Sequence, residues 1–208
     1  MERVTGSNAE PGGESGWSTR VVTVTSLAHW FGRFDRERLL ADWRGANYRR
    51  FTYYGRTKLA GLAFARELQR RLGAHGSRAA GSPATSVTGA GPASGTISVA
   101  AHPGLAGTNI AASTTRESPD LVRAAVVGAY KAVSQPVQRA CLPILFAATR
   151  PGLRGAELIG PRHLFQTRGQ PRLVRSSRAS RDRRIGALLW DELETVTALN
   201  PGLEADRA

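Results

Sequence analysis

Two short β-branched runs, with one amphipathic segment between them, narrow what this chain can fold into. "RVVTVTS" at 20–26 and "TISVAAHPG" at 96–104 read as strands, the first ending in Thr-Ser and the second in a Pro-Gly turn. Between them, from Thr52 to Leu72, Leu59, Leu62, Ala63, Ala65, Leu68 and Leu72 fall at helical spacing, with charge at Arg66, Glu67, Arg70 and Arg71. A strand, a helix and a further strand predict a parallel pair joined by a crossover. The later segments extend the alternation. Pro119 to Val133 and Val137 to Thr149 read as helices with proline at or near each start. "GAELIGP" at 155–161 reads as a third strand, and 180–199 as a closing helix. Ser180 is its expected cap, and Ile185, Leu188, Leu189, Leu193 and Val196 its expected buried stripe. The class expected is α/β, a doubly wound parallel sheet.

The 208 residues suit one domain. Residues 1–19 read as loop or disorder, 20–199 as the folded unit with a low-complexity insertion at 76–95, and 200–208 as a tail. Nothing approaches the roughly 20 apolar residues of a membrane span; "ACLPILFAA" at 140–148 is short and contains Pro143. "MERVTGSNAEPGGESG" lacks the apolar core of a signal peptide, so a cytoplasmic location is expected. Cys141 is the single cysteine, which leaves no internal disulfide and no multi-cysteine metal site, and its apolar setting predicts a buried, inert thiol. No metal is expected. The net charge of +13 would suit a polyanion, but 27 of the 29 basic residues are arginine and they are spread along the chain. The densest stretch, 162–184, has eight arginines and one acid and reads as a solvated loop leading into a helix. Nucleic acid is therefore the last-placed partner.

Four residues apart in "TYYGRTKLAG", Tyr54 and Lys58 share a helical face. A phenol titrates at about 10 and is a poor acid–base group at neutral pH. A neighbouring ammonium stabilises the phenolate, so such a pair can pass a proton to or from a carbonyl or alcohol oxygen. The ammonium can also bond ribose hydroxyls. Tyr53 is offset by about 100° on the helix and would miss Lys58. Ser26 stands at the C-terminal end of the first strand, where ligands sit in open α/β sheets. Its hydroxyl can bond a substrate oxygen as charge develops. Pro103, Gly104 and Thr108 follow the next strand on the same edge. Each has a plainer reading, Ser26 as a turn residue and Pro-Gly as a turn.

"RVVTVTSLAHWFGRF", "YYGRTKLAGLAFARELQRRL" and "TISVAAHPGLAGTNI" together resemble the second half of a short-chain dehydrogenase/reductase. The nearest branch is the retinol dehydrogenase-like and protochlorophyllide reductase-like group, especially its bacterial members, which shows Ser-x-Ala-His after this strand and a long insertion before the tyrosine. The resemblance runs from about Arg20 to Leu199, apart from the loop at 76–95. It implies NAD- or NADP-dependent hydride transfer on a small carbonyl or alcohol. By the same resemblance Ser26 orients the carbonyl, Tyr54 donates the proton, and Lys58 binds the nicotinamide ribose and tunes Tyr54. Pro103, Gly104 and Thr108 would lie along the nicotinamide. Thr57 stands where the family usually has serine.

The resemblance also implies a preceding strand, a glycine-rich TGxxxGxG turn and a helix that holds the pyrophosphate. One βαβ unit takes about 30 residues or more, and 19 precede Arg20. The expected fold is thus an incomplete Rossmann-type sheet without its N-terminal βαβ units. "TGSNAEPGG" at 5–13 and "TGAGPASG" at 88–95 are poor substitutes, since neither opens a helix in the required pattern. Three explanations stand: a truncated reading of a longer gene, a half that needs a protein partner over its open sheet edge, or a decayed copy. The alternatives to an enzyme are a non-catalytic interaction protein and, last, an arginine-rich nucleic-acid binder.

Overall fold

The computed structural model describes residues 19–34, 50–79, 95–107 and 120–203. Four strands form one sheet in the order β1 (Thr19–Val24), β2 (Thr96–Ala101), β3 (Leu158–His163) and β4 (Arg168–Leu173). β1 and β2 are parallel, with Thr19 opposite Thr96 and Val24 opposite Ala101, and β2 and β3 are parallel through Ala100–Leu158 and Ala101–Ile159. β4 returns antiparallel to β3. The architecture is α/β and compatible with part of a Rossmann-type sheet.

The alternation in β2 explains why helices cover both faces. Ile97, Val99 and Ala101 pack with Ile159 and Ala147, the last from α4 (Leu142–Thr149). Ala100 points the other way, towards Leu62 and Ala65 of α1 (Arg50–Ala79). A strand buried on both sides must be apolar at nearly every position, and β2 is. Leu59 and Leu62 of α1 are fully buried, each contributing roughly 1.5–3 kcal/mol. On its outer side α1 meets α5 (Arg183–Thr197) through Ala63, Ile185 and Leu189. The remaining elements are a 3-10 turn η1 (Leu27–Trp30), α2 (Asp120–Val133), the single turn α3 (Val137–Ala140) and a second 3-10 turn η2 (Ala179–Arg181).

Several expectations need correcting. The stretch 162–184 is no simple loop, since it supplies part of β3, all of β4, η2 and the start of α5. Residues 76–79 belong to α1, which runs past the expected start of the insertion. The helix expected at 137–149 is broken at Cys141, because Pro143 lacks the N–H that would bond the carbonyl of Arg139. The break turns Cys141 outward, so its thiol is exposed rather than buried. Ser180 is buried, bonding Ser176 Oγ and the Ser177 carbonyl, and Asp182 caps α5 instead by accepting from the Arg184 N–H. In α5, Leu188 and Val196 are exposed and Trp190 is buried in their place. Glu67 and Arg71, expected on a charged outer face, are both buried. Among the described residues no helix is long and apolar enough to cross a membrane.

The β3–β4 turn is backbone-strained. Leu164, Phe165 and Gln166 adopt φ of 46°, 53° and 67°, a left-handed conformation that costs a side-chain-bearing residue roughly 1 kcal/mol. Bonds on the inner side hold it. Thr167 donates from its N–H to His163 and from its hydroxyl to the Leu164 carbonyl. The Gln166 amide bridges His102 and the Arg175 carbonyl.

Candidate functional site

β1 ends at Val24 and feeds directly into η1 through Thr25 and Ser26. Ser26 is extended (φ −148°, ψ 160°) and caps η1, its Oγ accepting from the Ala28 N–H at 3.3 Å. The turn reading of Ser26 is therefore correct as far as it goes. It leaves the hydroxyl hydrogen uncommitted, because the cap uses only a lone pair.

The segment from Thr25 to Gly32 lies against the turn of α1 that carries Tyr54 and Lys58. Thr25 donates its hydroxyl to the Lys58 carbonyl at 2.8 Å. Two glycines let the backbones meet: a Cβ on Gly32 would stand 2.5 Å from the Gly55 carbonyl oxygen, and one on Gly55 3.0 Å from that of Ala28. The Lys58 ammonium sits 5.5 Å from the Tyr54 ring centroid, while Tyr53 pairs with Arg56. Thr57 bonds back to the Tyr54 carbonyl, so its hydroxyl serves the helix. Tyr54 is 39% exposed, which leaves it open to a ligand.

Pro103 and Gly104 follow β2 at the same end of the sheet, because β1 and β2 are parallel and in register up to Val24–Ala101. Gly104 has φ +71°, and a side chain there would run into the Thr167 carbonyl and Pro161. The β3–β4 hairpin thus accounts for this glycine without a coenzyme. Buried Gln135 fixes the loop: its amide donates to the Pro103 carbonyl and accepts from the Gly169 N–H. Thr108 lies outside the described residues.

Two buried histidines lie beside the site. His29 Nδ1 faces the Ser26 carbonyl at 2.7 Å; a carbonyl only accepts, so this nitrogen carries the proton. His29 Nε2 is then a buried acceptor without a partner among the described residues. His102 Nδ1 accepts from the Gly104 N–H, so its Nε2–H donates to Gln166. The rings are 6.5 Å apart. Gln135 and Gln166 gave no signal in the sequence; the histidines stood in "LAHW" and "AAHPG", next to Ser26 and Pro103, but pattern alone gave them no role.

Burial lowers the pKa of His29, and Arg66 lowers it further, against the opposing bond to Ser26. Burial likewise holds His102 at about 4, with the Gln166 bond opposing and His29 adding to the depression. The unfolded chain takes up this proton near pH 6.5, the folded chain only near 4. Between those values the unfolded state binds more protons, so stability falls as pH falls, by about 3 kcal/mol across the window. Urea unfolding at about pH 7.5 and about pH 4.5 should show at least this drop, since buried His29 adds to it in the same direction, and His102→Asn should remove the part due to His102.

Toward a dinucleotide the described residues offer an ammonium, that of Lys58, beside a partly exposed phenol. They offer no cradle for its pyrophosphate: β1 runs into η1 through Thr25–Ser26 and β2 into the Pro103–Gly107 loop, neither through a glycine-rich turn into an α-helix. The glycine-bearing stretch at 5–13, and that at 88–95 apart from Gly95, lie outside the described residues.

No protein-family model matches this chain, and no curated protein matches it. Among solved structures it is similar to the crystal structure of an uncharacterized protein from Mycobacterium paratuberculosis. The two share 34% identity at a TM-score of 0.56, over 88% of this chain and 52% of the other. This chain spans about half the length of that protein. The similarity supports the α/β architecture and carries no statement about chemistry.

Proposed function

We propose that this chain carries the proton-transfer end of a nicotinamide-dependent oxidoreductase of the short-chain dehydrogenase/reductase type, acting on a small carbonyl or alcohol. The observation that supports the reading is the packing of the Thr25–Gly32 segment, which includes Ser26, on the Tyr54–Lys58 turn, where the ammonium stands 5.5 Å from the phenol ring centroid. Tyr54 gives its proton to the substrate oxygen as it becomes an alkoxide. Ser26 donates its hydroxyl hydrogen to the same oxygen, which the η1 cap leaves free. Lys58 balances the charge left on the phenol and holds ribose hydroxyls. A bound reduced nicotinamide, NADH or NADPH, would supply the hydride to the carbonyl carbon. Pro103 and Gly104 would border the nicotinamide, and the pyrophosphate would be held by groups other than the described residues.

The test is the oxidation of NADPH or NADH by the purified chain over a panel of aldehydes and ketones, alongside nucleotide binding followed by saturation-transfer NMR. Tyr54→Phe should lower turnover at least about a hundredfold while leaving nucleotide binding intact, and Lys58→Ala should weaken that binding. Turnover that is indifferent to Tyr54→Phe would overturn the assignment.

A second reading rests on β1. Val21 and Val24 are 40% and 48% exposed on β1, the edge strand among the described residues, whereas neighbouring β2 is almost wholly buried. An open parallel edge with apolar side chains can accept another strand. In this reading a partner polypeptide covers β1 and the chain acts in an interaction, without catalysis. Tyr54→Phe would then leave the association unchanged, whereas Val21→Lys would abolish it.

A further inference from the structure

The β3–β4 turn exposes what a folded chain usually hides. Phe165 is 96% exposed and Leu164 55% exposed. Both have left-handed backbones, and the bonds of Gln166 and Thr167 on the inner side keep the two side chains outside. Arginines surround the tip. Arg162 precedes it on β3, Arg168 follows it on β4, and Arg175 is tied to it by the bond from Gln166 to its carbonyl. Arg172 lies further along β4, opposite Gly160. All four are exposed, and none forms an ion pair among the described residues. From Leu158 to Arg181 there is no aspartate or glutamate.

An apolar tip with an uncompensated cationic collar matches one kind of surface, in which an apolar layer lies just beneath a sheet of negative charge. We propose that the β3–β4 hairpin docks the protein on an anionic phospholipid bilayer, with Leu164 and Phe165 entering the interfacial layer and Arg162, Arg168, Arg172 and Arg175 meeting the headgroup phosphates. Single-stranded nucleic acid fits less well. It needs a platform of rings on which successive bases stack, and the tip has one ring beside a leucine. A second protein chain fits less well too, because two side chains on a turn fall far short of the area a stable protein interface buries. Docking of this kind needs no membrane-spanning helix and is independent of the redox chemistry proposed above.

The test is cosedimentation of the full chain with large unilamellar vesicles of phosphatidylcholine alone and of phosphatidylcholine with phosphatidylserine at about 7:3. Binding is expected to the mixed vesicles and much less to the neutral ones, and it should weaken steeply with added salt. Phe165→Ser should lower the partition coefficient about tenfold, and the double variant Arg162→Gln/Arg168→Gln by about tenfold or more. These side chains are exposed, so the variants should melt like the parent by circular dichroism. The proposal is overturned by mixed vesicles left unbound, by Phe165→Ser partitioning like the parent, or by a single-stranded oligonucleotide bound more tightly than the vesicles with the same dependence on Phe165. Dissociation of a dimer by Phe165→Ser in sedimentation velocity would assign the tip to a second copy and also overturn it.

Discussion

Glu67→Ala is expected to destabilise the protein by about 3 kcal/mol, because it leaves buried Arg71 with the distant carboxylate of exposed Asp191, 3.8 Å away, in place of a close one. Glu67 is 3% exposed and receives both arginines of the following turn. Arg70 donates twice to its carboxylate, at 2.9 and 2.6 Å, and Arg71 once, at 2.7 Å. Arg71, itself 6% exposed, stacks 4.5 Å over Trp190 and donates to the Leu203 carbonyl, so the cluster fastens α1 to α5 and to the chain beyond it. Burial alone would raise the Glu67 pKa, but the hydrogen bonds and charges of Arg70 and Arg71 outweigh it and hold the group below its ordinary value. A carboxylate depressed in this way stabilises the fold above its unfolded pKa, and that contribution is lost as pH falls through the folded value. Urea unfolding at neutral pH measures the cost. Glu67→Leu combined with Arg71→Leu should recover most of it, since the pair is removed together. A loss below about 1 kcal/mol for Glu67→Ala would mean that water reaches the arginines once the carboxylate is gone.

The second large effect is expected at Gly104. Gly104→Ala should cost about 4 kcal/mol, from a left-handed backbone that disfavours a side chain and from a Cβ driven into the Thr167 carbonyl oxygen and Pro161. Thr167 cannot yield easily, because its carbonyl accepts from the Leu105 N–H at 2.8 Å and its own N–H is held by the hairpin turn. The contact is therefore relieved by moving the Pro103–Gly107 loop. Loss of the bond between the Gln135 amide and the Pro103 carbonyl would accompany that movement, and hydrogen exchange at Leu105 and Gly107 would report it. Gly73→Ala is the control: it lies in α1 with open space around it, and should stabilise by about 0.5–1 kcal/mol. A Gly104→Ala variant as stable as the parent would mean that the hairpin does not clamp this loop.

The legible part of the fold was the part specified by local spacing. β2 stood out as a β-branched run, and α1 showed its stripe of Leu59, Leu62, Ala63, Ala65 and Leu68, because both patterns follow from the repeat of a single element. The positions of Ser26, Tyr54 and Lys58 in the fold were legible for the same reason: two sit one helical turn apart on α1 and the third follows β1. β4 was not. Arg168–Leu173 carries Gly169, Pro171 and two arginines, and it is a strand because β3 offers a partner and because an edge position tolerates a proline without an N–H. The burial of Glu67 and Arg71 was equally hidden, since the sequence shows charge and only the arrival of α5 and Trp190 on that face of α1 removes the water.

What the sequence by itself determined is the α/β alternation and which polar side chains stand as candidates for a site, because periodicity and side-chain chemistry belong to short segments. Tertiary structure alone decided how those groups meet. The Gly32–Gly55 approach sets η1 against α1, buried His102 bonds Gln166 of the β3–β4 turn, and Gly104 packs under a hairpin that turns Phe165 outward. Each of these is a contact between residues far apart in the chain, set by where backbones can approach and where water is excluded, and no local pattern encodes it.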